Sequence, residues 1–299
     1  MVPVYGDWPS LKDCIESLKK HVNKKHIIIL VNDNGPEADE IERNIIHAIK
    51  GQNNFKYYRN SQNLGFVGTC NKAVTELDKS KNDILLLNSD TKATNGFLEE
   101  MQTVLYSAKN GTVSPRSNNA TICTIPLVAM AQKGIGADKS YELFQRYSRK
   151  FPRYYSIPTA HGFCMLIRRE LINKYGLFDS IFGKGYGEEV DFCQRILKHG
   201  WSNVLSNWSF VYHLEARSFS LEAKKKMIEN NSKIILHRYP SYKRDVTNHI
   251  NRHIEEEKKI FGKVLEKYVP QEGDGLMNIL KRSNKINLIV NKLRNRINN

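Results

Sequence analysis

The fold is restricted most by an alternation of short apolar runs with amphipathic helical segments along the first half of the chain. The runs at 26–31 and 84–87 are almost continuously apolar, which is typical of strands buried on both faces of a parallel sheet. Shorter β-prone stretches occur at 2–5 and 55–58. Apolar residues at helical spacing mark the segments between and after these strands, at 9–21, 37–50, 67–77 and 96–108. Repeated β-α-β units of this length predict an α/β fold with a parallel, doubly wound sheet.

The second half is less regular and ends in polar helices. The stretch 117–158 has no clear periodicity, and Gly183, Gly185 and Gly187 alternate in a glycine-rich loop. The other predicted elements are strands at 111–115 and 163–167, helices at 169–175 and 188–199, and one or two short strands within 204–213. Because the chain turns polar and helical after Ser220, we predict a main domain at 1–218 and a basic helical extension at 219–299.

The composition supports a large folded unit with an appendage. Hydrophobic residues make up 40% of the 299 residues, and no apolar run approaches the ~18–20 residues that a membrane-spanning helix needs. The N-terminus lacks the basic and apolar pattern of a signal peptide. The five cysteines are odd in number and form no CxxC pair. This argues against a disulfide framework or a zinc finger and favours a reducing, cytoplasmic compartment.

Positive charge is concentrated near the C-terminus. The formal net charge is +15, and the segment 276–299 has six basic residues and no acidic one. Apolar residues recur there at helical spacing, at Ile286, Ile289, Val290, Leu293 and Ile297. A basic amphipathic helix is suited to an anionic membrane surface, and the open alternative is that this stripe packs on the rest of the chain or on a second subunit. No recognition motif supports nucleic-acid binding.

Glycine-rich cofactor motifs do not explain the polar residues at the strand ends. The turn after the first strand begins Gly6-Asp7-Trp8 and lacks the GxGxxG pattern of dinucleotide binding, and no Walker A sequence occurs. Asp33 and Asp90 instead follow two of the buried strands, where parallel sheets bind their ligands. A carboxylate there can accept a hydrogen bond from a base or ribose, or ligate a cation that holds phosphates. The simpler alternative for each is a turn or a helix N-cap.

A third acidic group lies at the start of a predicted helix. Glu188, Glu189 and Asp191 repel one another there, which a nearby cation would relieve, although acidic residues are also favourable in the first turn of a helix. Helical spacing places Glu188, Asp191 and Arg195 on one side, and Glu189 points away from it. His213, at the end of an apolar strand, is either a site residue or an ordinary core histidine.

The order of short motifs along the chain is more specific than any one of them. In chain order they are 2–5, 32–33, 63–66, 70–71, 87–91, 162–163, 168–170, 176–179, 187–192 with Arg195, 200–201, 211–213 and 218–219. Together they resemble family 2 glycosyltransferases of the GT-A fold, especially the branch that contains rhamnosyltransferase-like enzymes. The resemblance covers residues 1–220 and implies a nucleotide-diphospho-sugar transferase fold, with a Rossmann-like, mostly parallel sheet in a catalytic domain at 1–218.

The resemblance also implies a donor site. Asp33 corresponds to the acid that hydrogen-bonds the pyrimidine of the nucleotide. Asp90 corresponds to the last acid of the DXD motif, which ligates Mg²⁺ or Mn²⁺ on the pyrophosphate, and His213 to a further metal ligand. The first position of the DXD motif holds the neutral Asn88. The first strand is also shorter than it is in relatives. The other predicted nucleotide-binding residues belong to the same motifs: Pro3, Val4, Tyr5, Asn63, Gly65, Asn71, Asn88 and Ser89.

The acidic group corresponds to the ED motif that supplies the catalytic base of the family. Glu189 aligns with the base position, where relatives have the shorter aspartate. We therefore predict Glu189 as the base ahead of Glu188, with Asp191 third and structural. One base together with one metal site suits inversion by direct displacement.

The resemblance thus predicts an inverting, metal-dependent glycosyltransferase, of hexosyltransferase or rhamnosyltransferase type, that uses a UDP- or dTDP-sugar. The predicted acceptor is a hydroxyl of a bacterial surface glycan, either a cell-wall or capsule polysaccharide or a lipid-linked glycan, with a protein acceptor as an alternative. Such an enzyme works in the cytoplasm or peripherally on the inner face of the plasma membrane, as a single chain or a homo-oligomer. The alternative from another class is a catalytically inactive GT-A module that binds nucleotide sugars or serves as a scaffold.

Overall fold

The computed structural model describes residues 1–127, 136–214 and 221–266. The chain begins with three strands and three helices: β1 (Val2–Val4), α1 (Trp8–His21), β2 (Ile28–Asn32), α2 (Ala38–Ala48), β3 (Phe55–Arg59) and α3 (Gly65–Lys72). The strands form a parallel sheet in the order β1–β2–β3. Every residue of β2 is buried, as expected for a central strand that is covered on both faces. The β-α-β prediction for this part of the chain is confirmed.

A second sheet has six strands: β4 (Ile84–Leu87), β5 (Thr91–Ala93), β6 (Asn110–Arg116), β7 (Tyr154–Ile157), β8 (Cys164–Ile167) and β9 (Ser202–His213). Their order is β4–β8–β6–β9–β5, and β7 also pairs with β9. The pair β6–β9 is parallel, whereas β5, β7 and β8 run antiparallel to their neighbours. Of these, β5 and β8 follow short connections that contain no crossover helix of the kind that parallel pairing requires. The parallel arrangement is therefore strict in the first sheet and mixed in the second.

Met1 joins the two sheets. Its amino group donates a hydrogen bond to the main-chain oxygen of Leu85 at 2.7 Å, and the N–H of Leu87 donates to the oxygen of Met1 at 3.0 Å. This is the bonding pattern of a parallel pair, so β1 lies beside β4. The carboxyl ends of β1, β2 and β4 consequently open on one edge. Asp33 and Asp90 both follow strands that end at this edge, as the sequence predicted.

The remaining helices are α4 (Phe97–Tyr106), α5 (Ala137–Tyr147), α6 (Arg169–Tyr175), α7 (Glu188–Leu197), α8 (Leu221–Arg238), α9 (Tyr242–Phe261) and α10 (Lys263–Glu266). Both α5 and β7 lie in the stretch 117–158, for which the sequence indicated no element. Aromatic packing holds α5, with Phe144 at 5.1 Å from Phe210 between ring centroids. The one or two short strands expected at 204–213 are a single long strand that ends at His213.

The two long C-terminal helices pack on the main part of the chain. Ile235 of α8 and Tyr239, which follows this helix, share a core with Phe182 and residues of α7. Ile254 of α9 packs in a separate core around α5. Among the described residues, no helix has a long enough apolar stretch to cross a membrane. The predicted amphipathic helix at 276–299 lies outside the described residues.

Candidate active site

Asp33 ties the end of β2 to the turn that precedes α3. It is buried, and its Oδ1 accepts hydrogen bonds from the main-chain N–H of Leu64 at 2.8 Å and from the amide of Asn60 at 2.9 Å. In the same turn the Oδ1 of Asn63 accepts from the N–H of Gly65 at 2.9 Å. The predicted nucleotide-binding residues Asp33, Asn63 and Gly65 are therefore held together by a single hydrogen-bonded turn.

The predicted residues of β1 lie against this turn. The oxygen of Val4 accepts from the N–H of Asp33 at 2.9 Å, and Pro3 pairs with Val31 in the sheet. The ring of Tyr5 packs against Gly35, and a Cβ on this glycine would lie only 2.6 Å from the ring. A side chain at position 35 would thus displace the tyrosine ring from the edge of the site.

Asn71, also predicted to bind nucleotide, makes its observed hydrogen bonds to the protein. Its amide donates to the oxygen of Phe178 at 2.9 Å, and its Oδ1 accepts from the N–H of Phe178 at 3.1 Å. Both bonds connect α3 to the segment that leads towards the glycine-rich loop. The side chain of Asn71 therefore links these two parts of the chain, and a direct role in nucleotide binding stays a prediction.

Gly65 brings the glycine-rich loop against the donor side. Its φ is +71°, and a Cβ there would lie 2.8 Å from the Cα of Lys184. The next residue, Phe66, donates its N–H to the oxygen of Lys184 at 3.2 Å. Only glycine permits both this backbone conformation and this approach without displacement.

Asp90 and His213 are brought together by the pairing of β5 with β9. Thr91 lies opposite His213 in the register, and the N–H of Leu214 donates to the oxygen of Asp90 at 2.9 Å. The Oδ1 of Asp90 and the Nε2 of His213 are 3.6 Å apart. Asn88 and Ser89 precede this pair, and the N–H of Asn88 donates to the oxygen of Phe163 at 2.8 Å. The sequence placed Asp90 and His213 in one site, and the structure brings them together.

The three acidic residues of α7 occupy different environments. Asp191 is fully buried and accepts from Arg195 at 2.8 Å, from Arg238 at 2.7 Å and from the hydroxyl of Tyr239 at 2.9 Å. The predicted pairing of Asp191 with Arg195 is present. These three bonds fix the start of α7 to its own next turn and to α8, so Asp191 is a structural carboxylate.

Glu188 and Glu189 have no such cationic partners in the described part of the chain. Glu188 is buried, and its Oε2 has no hydrogen-bond partner among the described residues. Burial raises the pKa of Glu188 well above its ordinary value, and the charge of Glu189 raises it further. Burial also raises the pKa of Glu189, against nearby main-chain N–H groups that lower it. A carboxylate with a raised pKa is a stronger base than an ordinary one, which is the property that proton abstraction needs.

The segment 161–163 lies close to both Glu189 and His213. A Cβ on Gly162 would lie 4.0 Å from the carboxyl carbon of Glu189. At the preceding residue, the rings of His161 and His213 have centroids 6.3 Å apart. The base-like carboxylate and the acid–imidazole pair thus border one short stretch of chain.

The family follows from a comparison with known sequences. The sequence model described as glycosyl transferase family 2 matches residues 1–176, more than half of the chain. The chain belongs to glycosyl transferase family 2. A comparison with curated proteins gave no match. The matched region of this family 2 chain contains Asp33 and Asp90, whereas Glu188, Glu189 and His213 lie beyond it.

Solved structures show the fold of this glycosyl transferase family 2 chain. GalNAc-T7, determined with UDP, GalNAc and Mn²⁺, has a TM-score of 0.57 at 15% identity over 89% of this chain, which spans 57% of GalNAc-T7. The mannosyltransferase PcManGT of Pyrobaculum calidifontis, determined with GDP-Man and Mn²⁺, has a TM-score of 0.57 at 11% identity. The match covers 96% of this chain and 79% of the PcManGT chain. S. aureus TarS, determined with UDP-GlcNAc, has a TM-score of 0.54 at 13% identity. The match covers 88% of this chain and 74% of the TarS chain. These similarities confirm the predicted GT-A fold.

Three further residues of this family 2 site were not predicted. The side chain of Asn118 bonds the main chain of His213 through its Oδ1 and its Nδ2, each at 2.9 Å. The main-chain oxygen of Asn119 lies 2.6 Å from the Nδ1 of His213. The Nδ1 of His161 accepts from the N–H of Phe163 at 3.2 Å. None of these residues belongs to a periodic pattern. The sequence marks only Asn118 and Asn119, which follow a predicted strand.

The chemistry of Asp90 and His213 fits a divalent cation. Because a carbonyl oxygen can only accept, the Nδ1 of His213 carries the proton that points at Asn119, and Nε2 presents a lone pair on the side of Asp90. A histidine that donates its second N–H to a carbonyl is typical of metal ligands. The described residues contain no cluster of three or more His, Cys, Asp or Glu suited to a metal, so the other ligands would come from phosphates or water.

Proposed function

We propose that this chain is an inverting, metal-dependent glycosyltransferase that moves a sugar from a nucleoside-diphosphate donor to a hydroxyl of a glycan. The observation that carries the proposal is the placement of two groups around 161–163. Glu189, with a raised pKa, lies beside Gly162, and His213 of the Asp90–His213 pair lies near His161. A direct displacement needs a base at the acceptor and a stabilised leaving group, and these two groups would supply them.

The donor side is built from the turn around Asp33. A buried carboxylate at the end of β2 can accept a hydrogen bond from the N–H of a pyrimidine, while Asn63 and Gly65 shape the adjoining main chain. Among the solved relatives, GalNAc-T7 holds UDP and TarS holds UDP-GlcNAc, which supports a UDP- or dTDP-sugar donor here. PcManGT holds GDP-Man, so the experiment below compares GDP with UDP and dTDP.

Asp90 and His213 would hold the Mg²⁺ or Mn²⁺ ion. The bound ion supplies neutralisation of the charge that develops on the diphosphate leaving group. His213 is oriented for this by Asn118 and Asn119, so its Nε2 is directed before donor arrives. Two of the solved relatives contain Mn²⁺, which supports the same class of ion in this chain.

Glu189 would deprotonate the acceptor hydroxyl. Its partly desolvated carboxylate lies beside Gly162, and the absence of a side chain there leaves space next to the carboxyl group. Glu188 is more deeply buried than Glu189, so its carboxyl group is less accessible to an acceptor. This supports the order of Glu189 before Glu188 that the sequence motif indicated.

The acceptor and the location follow from the resemblance and from charge. We propose a hydroxyl of a bacterial surface glycan or its lipid-linked precursor as acceptor, with a rhamnosyl or hexosyl donor. The basic segment 276–299 would hold the enzyme on the anionic inner face of the plasma membrane. This segment carries six basic residues without an acidic one, which supports an anionic partner surface.

Thermal unfolding with nucleotides tests the proposal. UDP, dTDP and GDP are each added with and without MnCl₂ to the wild type, to Asp90→Ala and to the control Asp245→Ala, whose carboxylate is exposed on α9. One nucleotide should raise the unfolding temperature of the wild type and the control in a Mn²⁺-dependent way, and Asp90→Ala should lose this dependence. Consumption of the matching nucleotide sugar then separates an enzyme from an inactive binding module. If no nucleotide stabilises the wild type, the donor assignment is wrong.

A further inference from the structure

We propose that Asn231, in the C-terminal helix α8, is a positioning residue for the catalytic base. It holds the glycine-rich loop 183–187, which leads directly into Glu188 and Glu189. The inference rests on the proposed function of Glu189. It also makes α8 part of the catalytic machinery, although this helix lies in the extension that the sequence set apart from the catalytic domain.

The amide of Asn231 is bonded to three main-chain oxygens of the loop. Its Nδ2 lies 3.1 Å from the oxygen of Phe182, 2.8 Å from that of Gly185 and 2.9 Å from that of Tyr186. The side chain is buried, with 9% of the residue exposed, so water does not compete for these oxygens. One donor group therefore fixes carbonyls on both sides of the central glycine.

The loop needs an external anchor because its own conformation is irregular. Gly183, Gly185 and Gly187 have φ values of 58°, 136° and 108°, and Tyr186 has 70°. Such a backbone has many alternatives when glycine is present, and the loop has few main-chain hydrogen bonds of its own. Contacts from outside the loop must select the observed conformation.

One face of α8 contacts the chain both before and after Glu188 and Glu189. Asn231 acts on the residues before them, and Arg238 and Tyr239 bond Asp191 just after them. Ile235 lies between these positions on the same helix face, and a Cβ on Gly187 would be 3.4 Å from its Cγ1. The start of α7 is thus fixed from two directions by a single helix.

The loop is also in contact with the donor side. The oxygen of Lys184 accepts from the N–H of Phe66, and the Cα of Lys184 packs on Gly65. The loop lies between α8 and the turn that carries Asn63. Release of the α8 side would leave the donor turn in place while the carboxylate of Glu189 loses its fixed position.

The experiment compares Asn231→Ala and Asn231→Ser with the control Ile254→Ala. Serine keeps one donor of the two in the amide, and Ile254 is buried in the separate core around α5, so its truncation lowers stability without touching the loop. For each protein, kcat and KM for donor are measured together with the rate of tryptic cleavage after Lys184, identified by mass spectrometry. Lys184 is exposed and precedes the buried Gly185, so cleavage there reports release of the loop.

We expect Asn231→Ala to lower kcat by about 10- to 100-fold with KM for donor changed less than about twofold, and to speed cleavage after Lys184 by about tenfold. Asn231→Ser should lie between the wild type and Asn231→Ala in both measurements, so it carries the test if the alanine variant does not fold. Ile254→Ala should change neither.

Two results overturn the proposal. The first is unchanged cleavage after Lys184 in both Asn231 variants, because the amide then does not hold the loop. The second is faster cleavage with an unchanged kcat, because the loop then does not position the base. Failure of the proposed function has a different signature: Glu189→Gln retains the full transfer rate, whatever the cleavage of the Asn231 variants.

Discussion

The imidazole of His213 is held by the main-chain oxygen of Asn119, with 2.6 Å between that oxygen and Nδ1. This bond decides which nitrogen carries the proton, and it leaves the lone pair of Nε2 on the side of Asp90, 3.6 Å from Oδ1. The orientation of the imidazole therefore depends on a segment 94 positions from His213 in sequence.

The Asp90–His213 pair predicts unequal effects of substitution. Asp90→Ala should abolish transfer, because it removes the only charged member of the pair. His213→Ala should retain some transfer but require on the order of 10- to 100-fold more Mn²⁺ for half-maximal rate, since water can replace a neutral ligand. Rates measured against MnCl₂ concentration check this, with His47→Ala as an exposed histidine control. Full activity of Asp90→Ala, or of the wild type in excess EDTA, would contradict metal dependence.

Glu189 should determine how the transfer rate depends on pH. Because burial raises its pKa, the rate should increase with pH as this carboxyl loses its proton, through a range above that of an ordinary glutamate. Glu189→Gln should bind donor and metal normally, lose ~10²–10⁴-fold in rate and lose this rising limb. Pre-steady-state and steady-state rates from pH 5 to 8 give the measurement. If Glu188→Gln is inactive and Glu189→Gln is normal, the two roles are exchanged.

Glu188 should destabilise the fold increasingly as the pH rises. Its pKa in the folded chain is raised, so the neutral form is favoured by folding, and its contribution to stability is complete below the pKa of the unfolded chain and is lost as the pH rises through the raised value. Glu188→Gln should match the wild type near pH 4 and be more stable by about 1–3 kcal/mol at pH 8, where an unpartnered buried carboxylate is costly. Urea unfolding at both pH values checks this, and an equal effect at both would refute it.

Gly65 and Gly96 form a matched pair of glycines with positive φ. Alanine at either position costs about 1–2 kcal/mol in backbone conformation. At Gly96 nothing lies within 4 Å of the new Cβ, whereas at Gly65 the Cβ would meet the Cα of Lys184 at 2.8 Å. Gly65→Ala should therefore be less stable than Gly96→Ala by roughly 1–3 kcal/mol and should weaken donor binding. Equal stabilities would mean that the loop is not packed on Gly65.

The basic segment 276–299 should mediate binding to anionic bilayers. Each cation near such a surface contributes roughly 1 kcal/mol, and the segment has six. Flotation with vesicles of phosphatidylglycerol should recover the full chain, and a chain truncated after Gly275 should stay in solution. Vesicles of phosphatidylcholine are the control. Equal flotation of the truncated chain would exclude the segment as the membrane-binding element.

The sequence could predict those site residues that follow a periodic element. Asp33 and Asp90 come just after continuous apolar runs, so their place at the carboxyl edge of a sheet follows from the pattern alone. The sequence predicted that Asp191 pairs with Arg195, because residues four positions apart lie on the same side of any helix. This bond is present. For these residues, local spacing contains enough information.

The unpredicted residues act through contacts that local spacing does not determine. Asn118 is 95 positions from His213, and Asn231 is 46 positions from Gly185. Each is a small polar side chain whose partner is a main-chain group, so neither charge nor periodicity indicates the pairing. The antiparallel strands of the second sheet escaped prediction for a similar reason, because their order depends on which distant strands become neighbours.

The position of Asn231 in the chain also sets an order of events during synthesis. Asn231 follows the carbonyls that it holds by 45 to 49 positions. A ribosome adds ~5–20 residues each second, so the glycine-rich loop emerges roughly 2–10 s before its anchor. By then the strands that carry Asp33 and Asp90 have already been made. We expect the growing chain to recognise a nucleotide before Glu189 is held in place, and so to bind donor for an interval in which it would transfer sugar only slowly.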